Sequence, residues 1–274
     1  MAQKRTPSRG RTKKSGSGNV WFWIAVVIAA IMLFRTSGSK KVTPPRGAPP
    51  VAKPAPAPQG LAPFDWPRAA PDGAAPVLAE DLTLRNYYVI LDGSGSMQDT
   101  KCSGDTNKMR AAKRALTEFS QVVPRDAQLG LLVFDRNGNN ERVPLGTGNR
   151  DRFIAAVKQV NASGGTPLKT AIDIGVAKLE EQARRQLGYG EYHLVVVTDG
   201  EASLNEDPAR VVAELLGRSP VVLHTIGFCI GEQHSLNQPG QTLYKAAANP
   251  GELKAGLSAV LAESESFDVS GFKN

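Results

Sequence analysis

Asn86-Tyr87-Tyr88-Val89-Ile90-Leu91 runs straight into Asp92-Gly93-Ser94-Gly95-Ser96-Met97. The first half is a short apolar run, rich in aromatic and β-branched residues and closed by an Asp-Gly pair. It predicts a buried strand that ends in a polar loop. Three further runs have the same character: Ala127–Phe134 (AQLGLLVF), His193–Thr198 (HLVVVT) and Val221–Phe228 (VVLHTIGF). None alternates apolar with polar residues, so each is expected to be covered on both faces.

The segments between these runs carry helical spacing. Over Lys108–Val123 the apolar positions are Met109, Ala112, Leu116, Phe119 and Val123. Arg150–Val160, Pro208–Leu216 and Glu252–Glu263 read the same way, and Pro167–Gln186 is a longer helix. It has proline at its first position, with Thr166 as the expected cap. Strands alternating with helices predict an α/β fold, a mostly parallel sheet with helices on both faces. Ligands of such sheets sit outside the C-terminal strand ends, so function is sought just after each strand.

Three segments at that edge offer hard oxygen donors. Asp92-Gly93-Ser94-Gly95-Ser96 follows the first strand, Asp199-Gly200 follows HLVVVT, and Ser163-Gly164-Gly165-Thr166 precedes the long helix. Together they supply two carboxylates (Asp92, Asp199) and three hydroxyls (Ser94, Ser96, Thr166), with no imidazole or thiol. An all-oxygen set suits Mg²⁺, Mn²⁺ or Ca²⁺ and argues against zinc or copper. Two carboxylates neutralise a divalent ion, and hydroxyls fill out the shell without adding charge. If the carboxylates bind through water, the ion stays electrophilic and has a use for one more anionic oxygen from outside.

In these segments the chain resembles von Willebrand factor type A domains over roughly residues 84–265. Asp92-x-Ser94-x-Ser96, Thr166 in its Gly-Gly-Thr-Pro-Leu loop and Asp199 in VVVTDG match that family's metal-ion-dependent adhesion site. The resemblance implies a Rossmann-like sheet, Ser94 and Ser96 as direct ligands, and Thr166 as a direct or water-mediated one. Asp92 and Asp199 would act mostly through water. It also implies a non-enzymatic, metal-dependent module whose protein partner completes the coordination with an Asp or Glu. The family pattern suggests a short sixth strand at Leu243-Tyr244, although TLYKAAA reads equally as helix.

The first 80 residues are of another kind. They hold 12 Lys+Arg against 3 Asp+Glu, a net +9, whereas residues 81–274 net −2. The chain's total of +7 therefore belongs to the N-terminal part, and a domain at −2 with 6% aromatics gives no support for nucleic-acid binding. Residues 1–19 are a basic tail with six Lys or Arg and no acid. Val20–Phe34 is fifteen uninterrupted apolar residues, and residues 20–36 are expected to form a single transmembrane signal anchor. The positive flank places the N-terminus in the cytoplasm and the rest outside, periplasmic or extracellular. A cleaved signal peptide is the alternative, but Ser37-Gly38-Ser39 is a poor cleavage site. Residues 37–80 read as a Pro/Ala-rich disordered linker leading to a domain at 81–274; eleven prolines fall between Pro44 and Pro76. Such a tether reaches between ~40 Å if flexible and ~140 Å if extended.

Two cysteines exclude a disulfide-dense scaffold. Cys102 and Cys229 both follow strands and so lie at one sheet edge, which in an oxidising compartment predicts a disulfide rather than two free thiols. His193 and His224 fall within strands and read as core residues. His234, in the loop IGEQHSLNQPG beside the site, reads as exposed and as a candidate partner contact. The enzymatic alternative is a Mg²⁺-dependent phosphohydrolase with Asp92 as nucleophile. That chemistry wants a second carboxylate two residues on, where Ser94 stands, and a downstream lysine that the sequence does not evidently place. No Gly-x-Ser-x-Gly elbow is present for a serine hydrolase.

Overall fold

The computed structural model describes residues 66–71 and 73–262. The expected basic tail, the span at 20–36 and the linker up to residue 65 lie outside these residues. No helix among the described residues is long and apolar enough to cross a membrane.

The chain forms β1 (Arg85–Asp92), α1 (Lys108–Val122), β2 (Gln128–Asp135), β3 (Gly138–Val143), α2 (Arg150–Gln159), α3 (Leu168–Arg185), β4 (Glu191–Thr198), α4 (Ala209–Arg218), β5 (Val222–Phe228), β6 (Leu243–Ala247) and α5 (Pro250–Ala262). The strands make one six-stranded sheet in the order β3-β2-β1-β4-β5-β6. Every pairing is parallel except β2 with β3. β1 lies in the middle: Val89 pairs with Leu131 on one side and Val195 on the other.

Side-chain alternation along β1 divides the core into two layers. Tyr87, Val89 and Leu91 pack under α1, α2 and α5, with Met109, Leu116, Phe119, Phe153 and Leu257. Tyr88 and Ile90 pack under α3 and α4, with Ile172, Leu179, Val212 and Leu215. All five of these β1 side chains are fully enclosed. At ~25 cal/mol per Å² of apolar area removed from water, this central strand contributes a large share of the driving force for folding.

Two departures from the sequence reading have clear causes. β3 (GNNERV) was not expected, because an edge strand with only Val143 buried carries no apolar run. Its one signal is the Asn137-Gly138 pair, where Gly138 takes φ +87° and turns the chain back on β2. The other is the linker boundary. Residues 66–71 and 73–80 are not a free tether but a strap along α3 and α4. Trp66 meets Tyr192 edge to face at 5.6 Å, and the Arg218 guanidinium stands 5.9 Å from its ring. Arg68 grips Glu180 through Nε and Nη2, both at 3.0 Å, and Ala79 N–H donates to the Arg185 carbonyl. Burial alone would raise the Glu180 carboxyl; the hydrogen bonds and charges of Arg68 and Arg218 outweigh it and hold the group below its ordinary range. Proline composition spoke for disorder, but the anchoring here is by Trp66 and Arg68.

Cys102 and Cys229 form the expected disulfide, with Cα atoms 6.0 Å apart and a sequence separation of 127. His193 and His224 are buried and bonded to each other, Nδ1 to Nε2 at 3.1 Å. The pairing is satisfied when His224 Nε2–H donates to His193 Nδ1 and His193 Nε2–H donates to Glu191. Both rings are then neutral. Burial pushes His224 down to about 3, helped by the charge a protonated His193 would carry, and burial also lowers His193.

Two outcomes follow from these contacts. Reducing the disulfide returns entropy to the unfolded chain, so denaturant melts with and without reductant should differ by roughly 3–5 kcal/mol, the range for a long closed loop. The histidine pair makes stability depend on pH. The unfolded chain takes up a proton near 6.5 and the folded chain resists until about 3, so stability is lost as pH falls through that window. For His224 alone the loss between pH 7 and pH 5 is about 2 kcal/mol. Urea melts of a His224→Gln variant should show a correspondingly flatter profile; an unchanged slope would exclude the pair as its source.

Candidate functional site

β1 and β4 are neighbours in register, so their carboxyl ends deliver Asp92 and Thr198-Asp199 side by side. Asp92 is fully enclosed. Its Oδ1 accepts from the Ser94 N–H at 2.7 Å and its Oδ2 from the Thr198 hydroxyl at 2.6 Å. Burial pushes its carboxyl up to about 6; the Ser94 and Thr198 hydrogen bonds oppose this and the Asp199 charge adds to it. Asp199 is also buried. Its Oδ1 accepts from Ser96 Oγ at 2.7 Å, and Ser96 Oγ lies 2.9 Å from Ser94 Oγ. Four of the five expected donors thus form one hydrogen-bonded network.

The fifth, Thr166, reaches the same edge through its loop. Ser163 N–H donates to the Gly93 carbonyl at 2.6 Å, and Gly95 N–H donates to the Gly164 carbonyl at 3.0 Å. Gly164 takes φ +94°, and a Cβ there would come within 2.7 Å of the Arg136 backbone nitrogen. Only glycine lets this loop pass so close to the end of β2.

Thr166 is not the cap of α3, which corrects the sequence reading. Its hydroxyl makes no hydrogen bond among the described residues, although the residue is buried. The first turn of α3 is satisfied instead from the β4–α4 connection. Lys169 N–H donates to the Glu206 carbonyl, and Glu206 carboxylate oxygens accept from Thr170 N–H at 2.8 Å and Thr170 Oγ1 at 2.9 Å. Ser203 Oγ accepts from Thr166 N–H at 2.9 Å. Ser203 and Glu206 have the spacing of a capping box but serve a helix some 36 positions upstream. Sequence reading had no local reason to assign them there.

Two further residues differ from expectation. His234 is not exposed: its side chain is enclosed, its Nε2 lies 3.0 Å from the Gly200 carbonyl and its Nδ1 accepts from Leu236 N–H. It stacks on Tyr244 at 5.7 Å and so fixes the Gly200 turn from inside. Lys108, which sequence reading passed over, lies in the site. Its Nζ is 2.8 Å from Asp199 Oδ2 and 4.0 Å from Asp99 Oδ2, and the residue is 5% exposed. The helix dipole disfavours a lysine in the first turn, but nothing in the sequence identifies the distant carboxylate that offsets it.

The donor set passes a chemical test for a hard cation. It contains oxygen only, since both cysteines are joined in the disulfide and His234 is engaged elsewhere. Among the described residues no three His, Cys, Asp or Glu side chains gather as a metal cage. Any cation here depends on the serine and threonine hydroxyls, with two carboxylates behind them, a pattern compatible with an ion that keeps several waters.

The von Willebrand factor type A domain model matches residues 86–267, and the chain belongs to that family. The uncharacterized proteins YwmC and YwmD of Bacillus subtilis (strain 168) are 24% identical over 156 residues and 26% identical over 164. The alignments cover 52% and 55% of this chain, and 66% and 70% of those proteins. Among solved structures, the von Willebrand factor type A protein of Catenulispora acidiphila superposes with a TM-score of 0.55 at 20% identity, over 68% of this chain and 44% of that one. BatB of Bacteroides thetaiotaomicron gives 0.51 at 16% identity, over 65% and 97%. At these identities the structural likeness is one of fold.

Removing the Glu206 carboxylate by Glu206→Ala takes the acceptor from two donors of α3. Urea melts should show a loss of about 1–2 kcal/mol, the range for a lost cap. A loss below a few tenths would mean water replaces the carboxylate.

Proposed function

We propose that the domain is a membrane-tethered, metal-dependent protein-binding module outside the cytoplasm. Ser94, Ser96 and Thr166 hold a divalent cation, Mg²⁺ or alternatively Mn²⁺ or Ca²⁺, with Asp92 and Asp199 acting mostly through water. The cation accepts an Asp or Glu carboxylate from a partner protein. The observation that carries this reading is the joined pair of buried carboxylates: Asp92 and Asp199 end neighbouring strands and are linked through Ser94 and Ser96. Burying two like charges so close together is costly unless positive charge is supplied. The family as a whole is a protein-interaction and adhesion family, which agrees with that use. The span at 20–36, built on the apolar run Val20–Phe34, supplies the anchor, with the chain's N-terminus cytoplasmic, and the proline-rich residues up to 65 supply the reach.

The phosphohydrolase alternative gains a lysine, Lys108, that the sequence did not reveal. The geometry still speaks against it. Both Asp92 oxygens already accept hydrogen bonds and the side chain is enclosed, so neither is presented for attack on a phosphorus atom. Lys108 is spent on Asp199 rather than on an open anion site.

Mg²⁺ at about a hundred times its Kd should stabilise the fold by about 2.7 kcal/mol, which raises the melting temperature by roughly 5–10 °C for a domain of this size. EDTA should reverse the rise and Asp92→Ala should abolish it. Cross-linking in intact cells should lose its partner adducts in the same variant. A melting temperature indifferent to Mg²⁺, Mn²⁺ and Ca²⁺ alike would overturn the proposal.

A further inference from the structure

The buried ammonium of Lys108 is the feature that the binding chemistry above leaves unexplained. A cation site does not ordinarily need a fixed cation beside it. Lys108 occupies the first position of α1, where the helix dipole disfavours positive charge. Its stem is buried, and its Nζ donates to Asp199 Oδ2 while Ser96 Oγ donates to Asp199 Oδ1. Asp199 is thereby fixed from both oxygens. The placement is built rather than incidental. Lys108 N–H donates to the Asp99 carbonyl at 2.8 Å, and the Asn107 side chain accepts from Arg110 N–H at 2.9 Å, fixing the turn from which the side chain departs. The intervening loop is tied down by the Cys102–Cys229 disulfide.

We infer that Lys108 is a positioning residue that sets the charge of the site: paired with Asp199, it weakens the hold on a bare divalent cation and leaves the bound cation in need of an external carboxylate. The inference rests on the metal reading above. The bookkeeping is simple. The two buried carboxylates, Asp92 and Asp199, carry −2, and Lys108 brings this to −1; Asp99, 4.0 Å from the same Nζ, is 69% exposed and its charge is screened by solvent. A divalent cation then leaves the site at +1, and a carboxylate from outside neutralises it. Without Lys108 the same cation is already balanced by its two carboxylates, and an incoming anion meets a weaker net attraction. The Lys108 ammonium meets Asp199 and, more distantly, Asp99, and acts on the cation through Asp199.

The two effects have opposite signs, which separates this role from a merely structural one. The full-length chain in detergent, titrated with Mn²⁺ while free Mn²⁺ is followed by electron paramagnetic resonance, gives the cation affinity directly. Lys108→Met should bind Mn²⁺ at least tenfold more tightly than the native chain, and Lys108→Arg should stay within about threefold of it. Sodium acetate as the carboxylate probe, at matched ionic strength, should tighten Mn²⁺ binding severalfold in the native chain and much less in Lys108→Met. Lys108→Gln keeps a donor for Asp199 without the charge. It should follow Lys108→Met, and it decides the matter if the methionine variant does not fold. Equal or weaker Mn²⁺ binding by a folded Gln or Met variant would overturn the inference while leaving the metal reading intact. No Mn²⁺ binding by the native chain or by either neutral variant would overturn both.

Discussion

Two aspartates at the ends of neighbouring central strands impose the constraint that the upper edge of this domain is built to meet. Asp92 and Asp199 are both buried, and charge removed from water must find compensation close by. The protein supplies it in layers. A backbone N–H and a hydroxyl serve Asp92; a hydroxyl and an ammonium serve Asp199. Enclosed hydrogen bonds of this kind are strong, yet they leave Asp92 well above the ordinary carboxylate range. The residual demand for positive charge is what the proposed divalent cation would answer.

Everything that places these groups follows from the parallel sheet. The β1–β4 register pairs Leu91 with Val197, so one more step along each strand sets Asp92 beside Thr198, and Thr198 closes onto Asp92. The β1–β2 register, which pairs Asp92 with Phe134, places the Gly93 turn against the end of β2, where its N–H donates to the Phe134 carbonyl. The Thr166 loop then closes over it through Ser163 and Gly164. Apolar burial thus does the long-range work, and only the last residue of each strand is free to carry chemistry.

How much of this could be read from sequence depended on where the determining contact lay. β1, β2, β4 and β5 were legible because strands buried on both faces are written as apolar runs. β3 was not, since a polar edge strand leaves no such trace, and β6 remained ambiguous because only Ala247 of its five residues is buried. That Asp92, Ser94, Ser96 and Asp199 lie together at one sheet edge, with the Thr166 loop beside them, was legible from residue type and from position at strand ends and a helix start. Their supports were not. Glu206 caps a helix that begins far upstream, Lys108 answers a carboxylate 91 positions away, and His234 turns inward to hold Gly200. Each is a polar residue whose partner is chosen by the fold, and local periodicity says nothing about such choices. Trp66 and Arg68 belong with them, hidden in a proline-rich stretch whose composition speaks only for disorder.

The fold is shared with proteins only 16–20% identical to this chain, so the architecture tolerates wide change in sequence. What individualises a member is therefore the set of loops around the strand ends and the charges they bring. Here the loop from Asp99 to Asn107 is fastened by a disulfide to the end of β5 and delivers an ammonium to Asp199. A cation held by hydroxyls and by carboxylates already shared with other donors is held less firmly than one in a carboxylate cage. For the proposed binding function that weakness has a use in recognition. A site that satisfied its cation completely would have no reason to engage an outside carboxylate, whereas one that leaves positive charge unspent makes the partner's acid part of its own electrostatic closure.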